Sequence, residues 1–163
     1  MSLLKTLLFT ILVPCTVTIW LPRWLLPANP IQAITAPSYL GLIPIAVGAS
    51  IYFWCAWDFA TAGRGTPAPI DPPKELVARG LYRFTRNPMY VGVLSVLFGE
   101  SALFASPTLL AYAAAVFLLF QLFIKLYEEP ALARQFGETY QNYCAAVPRW
   151  LPRFSNWAEK SAR

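Results

Sequence analysis

The chain of 163 residues contains no histidine, and charged residues make up only 13% of the sequence. The lack of imidazole excludes a histidine general base. Only three cysteines are present, Cys15, Cys55 and Cys144, and their wide spacing indicates neither a disulfide framework nor a zinc site. A soluble domain carries about twice this charged fraction, roughly 25%, so the shortage of charge argues against that class.

Hydrophobic residues, in contrast, make up 57% of the chain. This excess over a soluble domain of equal length predicts an integral membrane protein with a single domain, residues 1–163. The net charge is +5, but the basic residues lie at the ends of apolar runs and not along a surface that could stack bases. We therefore expect an anionic membrane face as the partner of this charge, and no nucleic acid.

Four apolar runs follow one another along the chain, at residues 3–26, 39–59, 88–104 and 108–127. A run of about 20 apolar residues is long enough to cross the roughly 30 Å hydrocarbon core as a helix. The first run is better interpreted as a retained helix than as a cleaved signal peptide, because no small-x-small cleavage site follows it. The fold prediction is an all-α polytopic membrane bundle of about four transmembrane helices, residues 88–127 forming a helical hairpin.

Lysine and arginine are distributed unevenly between the connections. Residues 60–87 contain five of them and the segment after Tyr127 another five, whereas the two opposite connections contain only Arg23. The positive-inside rule then places both termini and the 60–87 loop in the cytoplasm. Glycine and proline recur through this loop and forbid a continuous helix, so extended backbone is expected there.

The C-terminal segment, residues 128–163, has the pattern of an amphipathic helix. Pro130 is a tolerated first helical residue, and hydrophobic side chains follow at steps of three and four. These are Leu132, Phe136, Tyr140, Tyr143 and Val147. We expect a helix that starts at Pro130 and lies on the membrane surface, followed by an interfacial anchor in VPRWLPR, residues 147–153.

The third run begins with the most distinctive sequence of the chain, RNPMYVG at residues 86–92. Asn87 and Pro88 fit the N-cap and first helical position. Capping does not account for Arg86, whose guanidinium beside free helical N–H groups favours a carboxylate or phosphate ligand. Gly92 would allow another backbone or a flat ligand to approach closely.

Glu128 and Glu129 form an acidic pair at the end of the fourth run. Two carboxylates are unfavourable at a helix C-terminus, and such local conflicts are expected at functional sites. The hairpin brings this pair to the same end as Arg86, so an ordinary structural salt bridge is the alternative. Glu100 is expected to make a polar contact on the outer side, Asp58 to be a helix-end residue, and the GRG sequence at 63–65 is weak evidence for a cofactor.

Together these motifs resemble the isoprenylcysteine carboxyl methyltransferase and phospholipid methyltransferase superfamily. The resemblance covers residues 63–152 and consists of RNPMYVG at 86–92, the pair at 128–129 and FGETYQNY at 136–143. It implies an enzyme that uses S-adenosylmethionine and takes a lipophilic or lipid-linked acceptor from the bilayer, with the active site facing the cytoplasm. By this similarity the cofactor pocket consists of Arg86, Asn87, Pro88, Tyr90, Gly92, Glu128 and Glu129, of which Arg86 and Glu129 are the catalytic candidates.

Asn87 stands where many members of the superfamily have histidine, and methyl transfer from a sulfonium depends mainly on orientation and exclusion of water. A carboxylate acceptor, which needs no deprotonation, is therefore favoured. Phospholipid N-methylation and a non-catalytic membrane protein that keeps the fold are the alternatives. No metal site and no protein partner are expected.

Overall fold

The computed structural model describes residues 12–62, 76 and 78–152, and every regular element in these ranges is helical. A π-helical stretch, Thr16–Trp20, leads into α1, Leu21–Leu25. The 3₁₀ turns Pro30–Ala33 and Ala36–Gly41 precede α2, Leu42–Ala62. The 3₁₀ turn Gly80–Arg83 precedes α3, Pro88–Leu103, and the last two helices are α4, Pro107–Phe123, and α5, Glu129–Ala146. The all-α prediction is confirmed.

Two helical stretches, Ala36–Asp58 and Pro107–Ala146, are long and apolar enough to cross a membrane. Only 28% and 22% of their most apolar windows are buried inside the protein, so these are not core helices of a soluble domain. Large hydrophobic side chains such as Phe53, Leu118 and Leu119 project outward and need lipid to cover them. Four spans remain a prediction, because α3 is shorter and the first run begins outside the described residues.

Helix α3 crosses α2 and the 3₁₀ turn that precedes α2 at paired glycines. A Cβ at Gly92 would lie 2.7 Å from the carbonyl oxygen of Gly48, and one at Gly99 would lie 2.6 Å from that of Gly41. In a membrane, small residues at a crossing let two backbones approach and gain packing contacts that lipid cannot supply. The crossing fixes α3, whose first turn carries the candidate residues, against α2.

The hairpin turn between α3 and α4 is closed by local hydrogen bonds. Ala105 takes a positive φ of 46° there, and the Ser106 side chain accepts a hydrogen bond from the Leu109 amide as the N-cap of α4. Leu109 and Ala113 are fully buried, and with Leu97 of α3 they fill the contact between the helices. The predicted hairpin is therefore present, with its two legs packed against each other.

The helix expected to start at Pro130 begins one residue earlier, at Glu129, with Pro130 in its first turn, but the chain does not leave a helical conformation before it. A π-helical turn, Ile124–Glu128, joins α4 to α5, and the Glu129 amide donates to the Ile124 carbonyl five residues back. Proline has no N–H for the carbonyl four residues earlier, and the wider turn accommodates this loss. A second irregularity lies at Gly137, whose φ of 52° bends α5.

The described part of the segment after α5, residues 147–152, folds back onto the protein, and the expected anchoring in the membrane interface stays a prediction. Val147 is fully buried beside Tyr140 and Tyr143. The Trp150 ring packs on Phe117 at 5.2 Å, and its Nε1–H donates to Gln121 at 2.8 Å. Backbone that has left a helix offers free carbonyls, and groups at the start of α3 use them.

Candidate functional site

A cavity lies between the N-terminal helical segment, α2, the start of α3 and the end of α4. Its walls are mostly apolar and aromatic, and two side chains of opposite charge face it, Arg86 and Glu128. The other lining residues are Val13, Pro14, Val17, Tyr52, Tyr82, Asn87, Met89, Tyr90, Val93 and Phe120. A concave apolar site with a few polar groups is the usual form of a small-molecule site.

Arg86 lies at the floor of the cavity with 14% of its side chain exposed. Its amide donates to the Pro148 carbonyl at 2.9 Å, which fixes the backbone just before α3. Its Nη1 lies 3.1 Å from Glu129 Oε1 and donates to Cys144 Sγ at 2.7 Å. The Nε atom is buried and has no hydrogen-bond partner within the described part of the chain. The guanidinium therefore keeps an unused donor.

Glu128 belongs to the π-helical turn, which directs its side chain into the cavity. One carboxylate oxygen accepts a hydrogen bond of 2.8 Å from the Tyr90 hydroxyl. The Tyr90 ring in turn packs on Phe120 at 4.7 Å, so the hydroxyl is held in place. Within the described residues no ion pair reaches Glu128, which leaves its charge available to a ligand.

Glu129, the next residue, lies in entirely different surroundings. Arg149 donates to it through both arms of the guanidinium, Nε to Oε1 and Nη2 to Oε2, each at 2.8 Å. Arg86 approaches Oε1 from the other side. The hydrogen bonds to Glu129 raise the pKa of Arg149, so this arginine stays charged at neutral pH. The carboxylate of Glu129 is thus used by two protein cations.

Asn87 occupies the N-cap position of α3, as predicted, but its side chain caps nothing. Its Nδ2 donates instead to the Arg149 carbonyl at 3.1 Å, and Thr85 Oγ1 donates to the same carbonyl at 2.9 Å. The side chain is drawn away from the helix because the folded-back segment presents an acceptor there. The start of α3 is therefore tied to the C-terminal segment by side chains and, through Arg86, by backbone.

Tyr82 closes another wall of the cavity from the 3₁₀ turn that precedes α3. Its carbonyl accepts a hydrogen bond of 2.7 Å from the Tyr143 hydroxyl of α5. Burial raises the pKa of Tyr82 well above its ordinary value, so the phenol keeps its proton at neutral pH. The contact joins the wall to the helix that follows Glu129.

Four of the seven residues expected to form the pocket line this cavity: Arg86, Asn87, Tyr90 and Glu128. Pro88 is buried at the helix start, and Gly92 packs against α2. Glu129 lies behind Arg86. Arg149, Thr85 and Tyr82 also contribute to this site and were not predicted as site residues. Only Arg149 had a visible signal, a charged residue in a short segment with prolines at 148 and 152.

The remaining candidates lie apart from these residues. Asp58 is buried and its Oδ1 lies 3.5 Å from Arg79, so it is more than a solvated helix end. One oxygen of Glu100 is buried without a partner among the described residues. The sequence at 63–65 lies outside the described residues. In the ranges that are described, no group of three or more His, Cys, Asp or Glu residues could hold a metal.

Comparison with known proteins gives consistent similarities. The family model for phospholipid methyltransferases matches residues 36–139, more than half of the chain. The chain is 31% identical over 121 residues to the probable protein-S-isoprenylcysteine O-methyltransferase of Oryza sativa subsp. indica. This match covers 71% of the chain and 61% of that relative. It is 33% identical over 127 residues to the protein-S-isoprenylcysteine O-methyltransferase of Xenopus laevis, covering 75% and 43%.

A third relative is named for a different substrate. Methanethiol S-methyltransferase 2 of Bradyrhizobium diazoefficiens is 36% identical over 73 residues, which are 45% of the chain and 27% of that relative. The chain thus spans about three fifths or less of the length of these curated relatives. No solved structure matches the chain significantly.

Proposed function

The chain belongs to the phospholipid methyltransferase family, and from this premise we propose that it transfers a methyl group from S-adenosylmethionine to a lipophilic or lipid-linked acceptor at the membrane. The observation that carries the proposal is the cavity in which Arg86 and Glu128 present opposite charges between apolar walls. The family's methyltransferase names supply the reaction class, and the cavity supplies a place for it.

The residues of the cavity fit S-adenosylmethionine. Its amino-acid end carries a carboxylate and an ammonium group, for which a guanidinium and a carboxylate are complementary partners. Arg86, which lines the cavity, would hold the carboxylate, and Glu128 would hold a cationic group. Tyr52, Tyr82 and Phe120 offer the flat apolar surface that an adenine or a hydrocarbon chain needs.

When bound, the cofactor supplies an electrophilic methyl group: the acceptor's electron pair forms the new bond to the methyl carbon while the carbon–sulfur pair returns to sulfur. The protein's own part is to hold both partners in line and to exclude water. The Tyr90–Phe120 contact and the buried Tyr82 serve this purpose, because they fix the walls of the cavity. A carboxylate acceptor requires no proton acceptor on the protein.

The acceptor enters from the bilayer in this proposal. Helices α2 and α4 expose large hydrophobic side chains. The walls that α3 and α4 contribute to the cavity are also apolar and consist of Met89, Val93 and Phe120. We propose four spans, with the arginine-rich ends of the helices and the cofactor entrance in the cytoplasm. Oriented in this way, a lipid-linked group and a water-soluble cofactor meet at one depth of the membrane.

Methylation of an amine in a phospholipid headgroup is the second candidate, favoured by the name of the matching family. An amine would pass its proton to Glu128, the cavity carboxylate that no described cation neutralises. A screen of carboxylate, amine and thiol acceptors in detergent separates these reactions. Methyl esters formed in preference to methylated amines support the first candidate, and the reverse product distribution supports the second.

Equilibrium binding of S-adenosylmethionine to the purified protein tests the proposal. Glu128→Gln removes the charge and should weaken binding about 10-fold or more, since hydrogen bonds to charged groups are worth about 1.5–3 kcal/mol. Glu138→Gln is the matched control, because Glu138 is exposed on α5 and should bind like the wild type. Absence of binding by the wild type would contradict the proposed function, and equal binding by Glu128→Gln would contradict the role of this carboxylate.

A further inference from the structure

Arg149 connects two separate parts of the site. Its guanidinium binds Glu129 at the start of α5, while its backbone carbonyl accepts hydrogen bonds from Asn87 and Thr85 before α3. Its side chain is 25% exposed and does not line the cavity. An arginine so placed cannot bind the ligand of the cavity directly, but it determines how the residues that do are held.

The path from Arg149 to the cavity runs through Glu129. Oxygen Oε1 of Glu129 is shared: Arg149 Nε donates to it at 2.8 Å, and Arg86 Nη1 lies 3.1 Å from it. Among the residues that the structure describes, Arg149 alone contacts oxygen Oε2. Two parallel hydrogen bonds from one guanidinium fix the plane of a carboxylate. Arg149 therefore determines the orientation in which the Glu129 carboxylate contacts Arg86.

We propose that Arg149 is a positioning residue that acts through Glu129 on Arg86 and thereby sets the affinity of the cavity for the cofactor. This inference rests on the proposed function. It also divides the acidic pair: Glu128 faces the ligand, and Glu129 belongs to the ion-pair network that orients Arg86. With Arg149 present, Arg86 gives Glu129 only Nη1 and keeps Nε unused.

Loss of Arg149 should change Arg86 before it changes anything else in the cavity. Glu129 would then have a single cation among the described residues, and its freed oxygen would draw the Arg86 guanidinium into a fuller pair. A guanidinium paired on both oxygens has fewer donors for a ligand. Removal of the Glu129 charge abolishes this competition, so the effect of Arg149 should disappear with it.

The experiment measures the dissociation constant of S-adenosylmethionine for a double-mutant cycle in the full-length purified protein. Arg149→Met, which keeps the apolar stem, should weaken binding about 10-fold when Glu129 is present. The same substitution in a Glu129→Gln background should change the dissociation constant by no more than about twofold, because residue 129 then carries no carboxylate for Arg149 to orient. Arg134→Met is the matched control, since Arg134 is exposed on α5 and should have no effect in either background.

Two further measurements separate positioning from general stabilisation. Arg149→Lys keeps the positive charge but cannot make the two parallel hydrogen bonds of a guanidinium. Compared with Arg149→Met, it should therefore recover more of the wild-type melting temperature than of the wild-type affinity. In the transfer assay, KM for the cofactor should rise while kcat changes little. Equal losses of affinity in both Glu129 backgrounds, or a change in melting temperature alone, would overturn the inference. Failure of the wild type to bind the cofactor would instead overturn the proposed function and the inference with it.

Discussion

Substitution of Gly92 by alanine separates a packing role from a ligand role at this residue. A Cβ at Gly92 would lie 2.7 Å from the Gly48 carbonyl oxygen and 3.1 Å from the Tyr52 amide nitrogen, both rigid backbone atoms. Helices α2 and α3 would have to move apart, and such overpacking costs about 1–3 kcal/mol. Alanine's better helix propensity returns up to about 1 kcal/mol. We expect a net destabilisation of about 1–2 kcal/mol.

Thermal unfolding in detergent, followed by tryptophan fluorescence, measures this change. For a chain of this size about 2–4 °C of melting temperature corresponds to 1 kcal/mol, so Gly92→Ala should melt roughly 2–8 °C below the wild type. Gly48→Ala is the matched variant, because its Cβ would meet the Gly92 carbonyl oxygen in the same crossing. Both folded variants should bind S-adenosylmethionine within about twofold of the wild type. An unchanged melting temperature with lost binding would refute the packing argument and favour a ligand at Gly92.

Two other substitutions test contacts around the site. Tyr143→Phe removes the hydroxyl that donates to the buried carbonyl of Tyr82. This change should lower the free energy of unfolding by about 1–3 kcal/mol, measured as a lower melting temperature. An unchanged melting temperature would show that the hydrogen bond contributes nothing to stability. Trp150→Phe keeps a ring against Phe117 but loses the 2.8 Å hydrogen bond to Gln121. It should make the chain end after α5 more accessible to protease, and an unaltered cleavage rate would contradict that contact.

Helix positions could be predicted from the sequence because their causes are local. Pro88 and Pro107 sit at the first positions of α3 and α4, where a missing N–H costs nothing, and the apolar runs gave lengths that agree closely with the observed helices. The hairpin also followed from Ser106 and the proline after it. The approach of Arg86 to the acidic pair then required only that the two legs pack side by side.

The details of the site could not be predicted, because they depend on the return of the chain after α5. Nothing near Asn87 indicates that its side chain donates to a carbonyl 62 residues later. Glu128 and Glu129 are neighbours in the sequence, but the π-helical turn and Arg149 place their side chains in different surroundings. Pro130 indicated the first turn of α5 to within one residue, but it gave no sign of the π-helical turn that joins α5 to α4.

The most direct test of the account is transfer of labelled methyl groups from S-adenosylmethionine by the purified protein in lipid nanodiscs. Label should accumulate in an organic extract of the lipophilic acceptor, and the wild type should bind the cofactor. Glu128→Gln should lose most of both activities, whereas Glu138→Gln should keep them. The proposed function would be contradicted if the folded wild type did not bind the cofactor and transferred no label to any carboxylate, amine or thiol acceptor.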